Sequence, residues 1–285
     1  AIAAGTRNIA IGCDALGAAT SGSTNIAIGS GAIGTGTTTG SQNIGIGQGS
    51  GAALTSGTYN IVIGQAAYDA AQTGGYNIAV GPDALGGGAV TGNGVNIAIG
   101  NLTMDALTSG ACNIALGENA LGAATTGVKN IAIGQLAMGT GVTIIGGGAC
   151  GCDNVAIGRS AASALTQGTN NIALGTLAAD ALTTGSQNIA MGLDALGTAT
   201  VASCNIAIGS EAMKGVTTAA AHANIAIGLL AMCGVAATEG DHNVAIGNYA
   251  MTYALTTGSD NVAIGRNSAD ALTTGGNNIA LGQNA

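Results

Sequence analysis

The 285-residue chain is 47% hydrophobic yet only 6% charged, with 52 Gly, one Pro and no Phe or Trp; ordinary soluble domains carry about 25% charged residues. Its net charge of −8 rests on 13 acidic and only five basic residues, which excludes the clustered cations that nucleic acid or an anionic membrane surface would demand. Gly and polar residues break every apolar run below the roughly 18 to 20 residues of a transmembrane helix, so no membrane insertion by this segment is expected.

The first element is Asn8-Ile9-Ala10-Ile11-Gly12, and it recurs to the end of the chain. Its Asn stands at Asn8, Asn25, Asn43, Asn60, Asn77, Asn96, Asn113, Asn130, Asn154, Asn171, Asn188, Asn205, Asn224, Asn243, Asn261 and Asn278. Most intervals are 17–19 residues; the one from Asn130 to Asn154 is 24, with its irregular stretch around 139–153. That stretch contains Thr143-Ile144-Ile145-Gly146, which reads as a degenerate copy of the strand or a small loop. Arg7 is the only early charge and no leader peptide is read there. Residues 1–285 are therefore expected to be a single repeat solenoid cut from a longer fibre.

A fixed short period is the mark of stacked repeats. The position after the Asn is Ile thirteen times and Val three times, the third is Ala except at Gly45 and Val62, and the fifth is always Gly. Three residues beyond that Gly stands a small residue. An aliphatic follows at once (Leu16, Leu85, Leu121, Met138, Met213) or slightly later (Leu107, Leu165, Leu182), before a Thr-Thr-Gly type corner such as Thr183-Thr184-Gly185. Alternation along a strand puts Ile9 and Ile11 on one face and Ala10 on the other. Gly closes each strand where φ is positive or the backbone approaches closely. The expected fold is all-β, a parallel β-solenoid of about sixteen coils in which like residues stack. The sixteen Asn are expected to form a structural amide ladder.

Large aliphatics are expected inside and the Ala column outside. On that reading Ala10, Ala27, Ala79, Ala98, Ala115, Ala132, Ala156, Ala173, Ala190, Ala207, Ala226, Ala245, Ala263 and Ala280 form an apolar stripe between chains. Charges avoid both Ile-type columns and cluster before the Asn, after the Gly and at a later corner.

Asn-Ile-Ala-Ile-Gly-x-x-Ala with Gly- and Thr-rich corners resembles the head repeats of trimeric autotransporter adhesins. It is still more similar to related repeats of bacteriophage tail fibres. The resemblance spans essentially the whole chain. It implies left-handed β-rolls, three copies side by side as a homotrimer or fibre, and attachment to a host surface receptor from an extracellular, cell-surface or virion location.

Other motifs add little chemistry. Gly29-Ser30-Gly31-Ala32-Ile33-Gly34 fits a dinucleotide fingerprint but lacks its βαβ setting, so no cofactor is expected. Cys13, Cys112, Cys150, Cys152, Cys204 and Cys233 do not recur on adjacent coils and read as free, partly buried thiols. His222, Asp241, His242 and Asp260 crowd one corner where a metal is conceivable, though a solvated corner is the simpler reading and no metal site is assigned. No catalytic triad is legible, and the chain is not expected to be an enzyme. Asn101-Leu102-Thr103 is a glycosylation sequon. An adhesive structural fibre is the expected function. An ice-binding solenoid with Thr-rich corners is the alternative.

Overall fold

A computed structural model describes residues 5–34, 37–70, 73–91, 94–141, 151–215, 221–234, 240–252 and 258–285. It is a parallel β-solenoid organised as two compact units, 1–145 and 146–285. In the first unit each repeat contributes one three-residue strand: β1 (Ile9–Ile11), β2 (Ile26–Ile28), β3 (Ile44–Ile46), β4 (Ile61–Ile63), β5 (Ile78–Val80), β6 (Ile97–Ile99), β7 (Ile114–Leu116) and β8 (Ile131–Ile133). The second holds β9 (Val155–Ile157), β10 (Ile172–Leu174), β11 (Ile189–Met191), β12 (Ile206–Ile208), β13 (Ile225–Ile227), β14 (Val244–Ile246), β15 (Val262–Ile264) and β16 (Ile279–Leu281). Within each unit successive strands pair in parallel and like residues lie opposite, as in Ile189↔Ile206, Ala190↔Ala207 and Met191↔Ile208. No helix occurs among the described residues. Residues 142–150 of the irregular interval, including its Thr143-Ile144-Ile145-Gly146 segment, lie outside the described residues.

Three-residue strands are too short to hold a coil by themselves, and the corners do the rest. Each coil turns through left-handed backbone at three recurring places: the residue before the Asn (Thr24, φ 62°), the second after the Gly (Asp194, φ 57°) and the fourth after it (Leu85, φ 53°). Such conformations cost a non-Gly residue roughly 1–2 kcal/mol. They persist because the neighbouring coil fixes them through backbone hydrogen bonds, for example from Leu85 N–H to the Thr103 carbonyl at 2.9 Å. The Gly that closes each strand is demanded twice over. Gly117 has φ 128°, and a Cβ on it would lie 2.7 Å from the Gly134 carbonyl oxygen of the next coil.

The interior is narrow, and the outcome reverses the expected sidedness. Ala27, Ala79, Ala98, Ala115, Ala132, Ala156, Ala173, Ala190, Ala207, Ala226, Ala245 and Ala263 are all buried to within 1%. They line the chain's own core and form no outer stripe. Ala10 is exposed and Ala280 half-buried in the first and last coils. The Ile, Val, Leu and Met columns on either side of them face outward, none buried, with Ile172 at 42% and Leu174 at 39% exposure. The cause is the Asn. Its amide bonds into the coil, so strand alternation carries the Ala inward with it and the neighbouring aliphatics outward. The strand thus offers the core only a methyl group per coil, save at Gly45 and at Val62, which is buried to 1%.

In most coils, save that of Asn96, which buries both Met104 and Leu107, one larger side chain from the opposite corner fills the remaining space. It comes from the fourth position after the Gly in Leu16, Leu85, Leu121, Leu196, Met213 and Met232, all at most 2% exposed. Where that position holds Gly51, Ala162 or Ala179, the large residue moves three places on, to Leu54, Leu165 or Leu182, again at most 3% exposed. Close packing tolerates either arrangement so long as the volume is kept. Gly45 fits the same rule: a Cβ there would meet Ile33 Cγ1 at 2.8 Å.

Candidate functional site: an amide ladder and an uncovered apolar face

The Asn column is an amide ladder. Asn188 receives a bond from Asn205 N–H at Oδ1 (3.0 Å), and its Nδ2 donates to the Ala202 carbonyl (2.8 Å) and to Asn171 Oδ1 (3.0 Å). The pattern repeats at Asn43, Asn60, Asn113, Asn171, Asn205 and Asn261. In the first unit it opens at Asn8, which donates to the Gly22 carbonyl (2.8 Å), and in the second it runs to Asn278. From Asn25 to Asn261 the ladder residues are at most 2% exposed. Each amide thereby satisfies an otherwise orphaned backbone N–H and a corner carbonyl of the next coil. Asn77 departs from this pattern through a side chain of the preceding coil. The Tyr68 hydroxyl enters the core and accepts from Asn77 Nδ2 at 2.9 Å. Burial pushes that phenol above the ordinary tyrosine range.

A second ladder was not read from the sequence. At seven of the positions two residues before an Asn, a side-chain acceptor takes the backbone N–H of the coil before it. Ser23 accepts from Thr6, Ser41 from Ser23, Ser186 from Thr169, Ser203 from Ser186 and Ser259 from Asp241. His222 and Asp241 belong to this column. His222 Nδ1 accepts from Ser203 N–H at 3.1 Å, which leaves the ring proton on Nε2, and Asp241 Oδ1 accepts from His222 N–H at 2.7 Å. His242 and Asp260 stand one column over, 4.0 Å apart and mostly in solvent. The recurrence of Ser and Thr at this place was the available signal. The four residues serve two columns, and no cluster of His, Cys, Asp or Glu suited to a metal forms among the described residues.

The remaining motifs fall into place as parts of the coil. Cys13, Cys112 and Cys204 are exposed free thiols, Cys233 is a half-buried one, and Cys152 is disulfide-bonded, a correction to the reading of all six as free. Cys150 lies outside the described residues. Burial, with the Glu211 carboxylate nearby, pushes the Cys233 thiol up. The sequon's Thr103 is buried and donates to the Gly117 carbonyl at 2.8 Å. Corner Thr hydroxyls are likewise tied down: Thr108, Thr166 and Thr183 donate to Thr125, Thr183 and Thr200 carbonyls at 2.8–3.0 Å. Gly29 is the strand-closing Gly of its coil, not a phosphate cradle.

What remains is the outer face. Two parallel columns of aliphatics run along each unit, one on each side of the buried Ala column, with no described part of the same chain covering them. Two rims border the face. The leading rim is the residue before each Asn, and the trailing rim is the residue after each strand-closing Gly. On the leading rim Tyr59 and Tyr76 stack at 4.9 Å between ring centroids. No protein-family profile, curated protein or solved structure matches the chain.

Proposed function

We propose that this chain is a structural and adhesive fibre segment whose copies associate through the outer aliphatic face. In that assembly the coils are left-handed, three chains lie side by side, and the corners or a distal tip contact a host surface receptor outside the cell. The observation that carries this reading is the uncovered double column of Ile, Val, Leu and Met, flanked by few charges. Exposed apolar patches of this extent mark interaction surfaces. The role is mechanical rather than catalytic.

Sedimentation equilibrium on the purified chain tests it. The expected species has three times the monomer mass. A monomer persisting at high concentration overturns the reading. The ice-binding alternative is disfavoured by the Thr hydroxyls, which spend their protons on carbonyls of the next coil instead of presenting them to water. Thermal hysteresis from the purified segment would revive that alternative.

A further inference from the structure

The two rims of the apolar face carry charge in a pattern that one chain by itself does not use. Among the leading-rim residues of the second unit, two are Asp: Asp153 and Asp260. Among its trailing-rim residues, two are Arg: Arg159 and Arg266. They occupy the same two coils, an Asp on one rim and an Arg on the other. No coil in either unit carries like charges on its two rims. All four side chains belong to exposed residues. Asp and Arg of one coil are separated by the whole width of the strand, and neither Asp153 nor either Arg has an ion-pair partner among the described residues. The ion contact of Asp260 is with His242 at 4.0 Å, along its own rim.

Rotation about an axis parallel to the stacked coils brings the leading rim of one copy against the trailing rim of the next. If the copies are level, the rims meet coil for coil, whatever the number of copies. We propose that copies of this chain associate in parallel and in register, with Asp153 facing Arg159 and Asp260 facing Arg266 of the adjacent copy. This inference rests on the proposed self-association and specifies its geometry. The aliphatic columns alone cannot set that geometry, because a slip by one whole coil presents the same surface. A slip by one coil within the second unit would pair Asp153 with Thr176, and Asp260 with Gln283 or Asn248. The charges therefore supply the register that the Ile columns leave open, which is the usual work of rim charges at an interface.

The test uses the full chain at low ionic strength, with association measured by sedimentation. Asp153→Arg and Arg159→Asp are each expected to weaken association about tenfold, and the double reversal to restore it to within about threefold. Asp260→Arg and Arg266→Asp should behave in the same way, and the differences should shrink in about 1 M salt. Circular dichroism checks that each variant folds. A second measurement does not depend on charge. The exposed free thiol Cys204 lies on the leading rim of the coil whose trailing rim is Ser210. With a short bis-maleimide, Ser210→Cys should cross-link copies through Cys204, while Asn248→Cys, two coils away, should not. Association that ignores both reversals, or cross-linking that favours Asn248→Cys, overturns the register but leaves self-association standing. A chain that stays monomeric overturns both.

Discussion

The inner and outer faces of one strand are built by opposite rules, although three consecutive residues serve both. In β11 and the residue before it, Asn188 points in, Ile189 points out and Ala190 points in. The buried positions hold the smallest apolar side chain and a polar amide, and the open ones hold the large aliphatics. The contrast teaches that hydrophobicity alone does not assign sides in so thin a coil. Space admits a methyl in most coils and no more than the Val62 side chain in one, and the backbone groups of each corner must be satisfied inside.

The largest effect is expected from Asn188→Leu. It leaves Asn205 N–H and the Ala202 carbonyl without their Asn188 partners, while Asn171 Oδ1 loses one donor and keeps the backbone N–H of residue 188. Unpaired buried groups cost about 1–3 kcal/mol each. A loss on the order of 4 kcal/mol is therefore expected in denaturant unfolding of the second unit. Next comes Ala190→Leu, which forces three extra carbons against a filled core, with an expected loss of about 2 kcal/mol. Ile189→Thr, between those two, should alter the stability of the single chain by no more than about 0.5 kcal/mol while weakening association. If Ile189→Thr unfolds the chain as readily as Ala190→Leu, the two faces are not distinct in the way described.

This contrast also marks how far the sequence could be read. Strand positions, the parallel order and the amide ladder were legible, because stacking repeats each requirement in a column. The sidedness was not. Ile9 and Ile11 sharing a face opposite Ala10 follows from alternation, but which face is inward depends on the width of the closed coil. No single repeat states that width. The cue available was Asn8 itself: an amide destined to be buried lies two residues from Ala10 and so on the same side. The Ser, His and Asp acceptors were missed for a related reason. A polar residue at a corner looks solvated until the coil before it brings an N–H within reach, as Ser23 does for the Ser41 hydroxyl.

The smallest effects come from a second pair of regions, two corners with the same layout in the two units. Asp69, Asp83 and Asp105 take equivalent places on three successive coils of the first unit, and Asp180, Asp194 and Lys214 take them in the second. Partial burial raises the Asp69 carboxyl, and the Asp83 and Asp105 charges raise it further. Burial also raises Asp180, whose Oδ1 is enclosed without a hydrogen-bond partner, and Asp194 adds to this. Lys214 pulls Asp180 back, its ammonium lying 2.7 Å from Asp194 and 3.1 Å from Glu211. A carboxyl raised on folding binds its proton more tightly in the native state. Each corner therefore makes stability fall as pH rises from the ordinary carboxylate range through the raised value. Lys214→Met should steepen that decline in the second unit, because Asp180 loses its counter-charge. Asp105→Asn should flatten it in the first, because Asp69 loses a repelling neighbour. Both changes should be small at these part-exposed sites and should fade in high salt. Unfolding midpoints followed from pH 3 to pH 7 distinguish the two, and shifts of the same sign in both variants would show that the corners are not electrostatic counterparts.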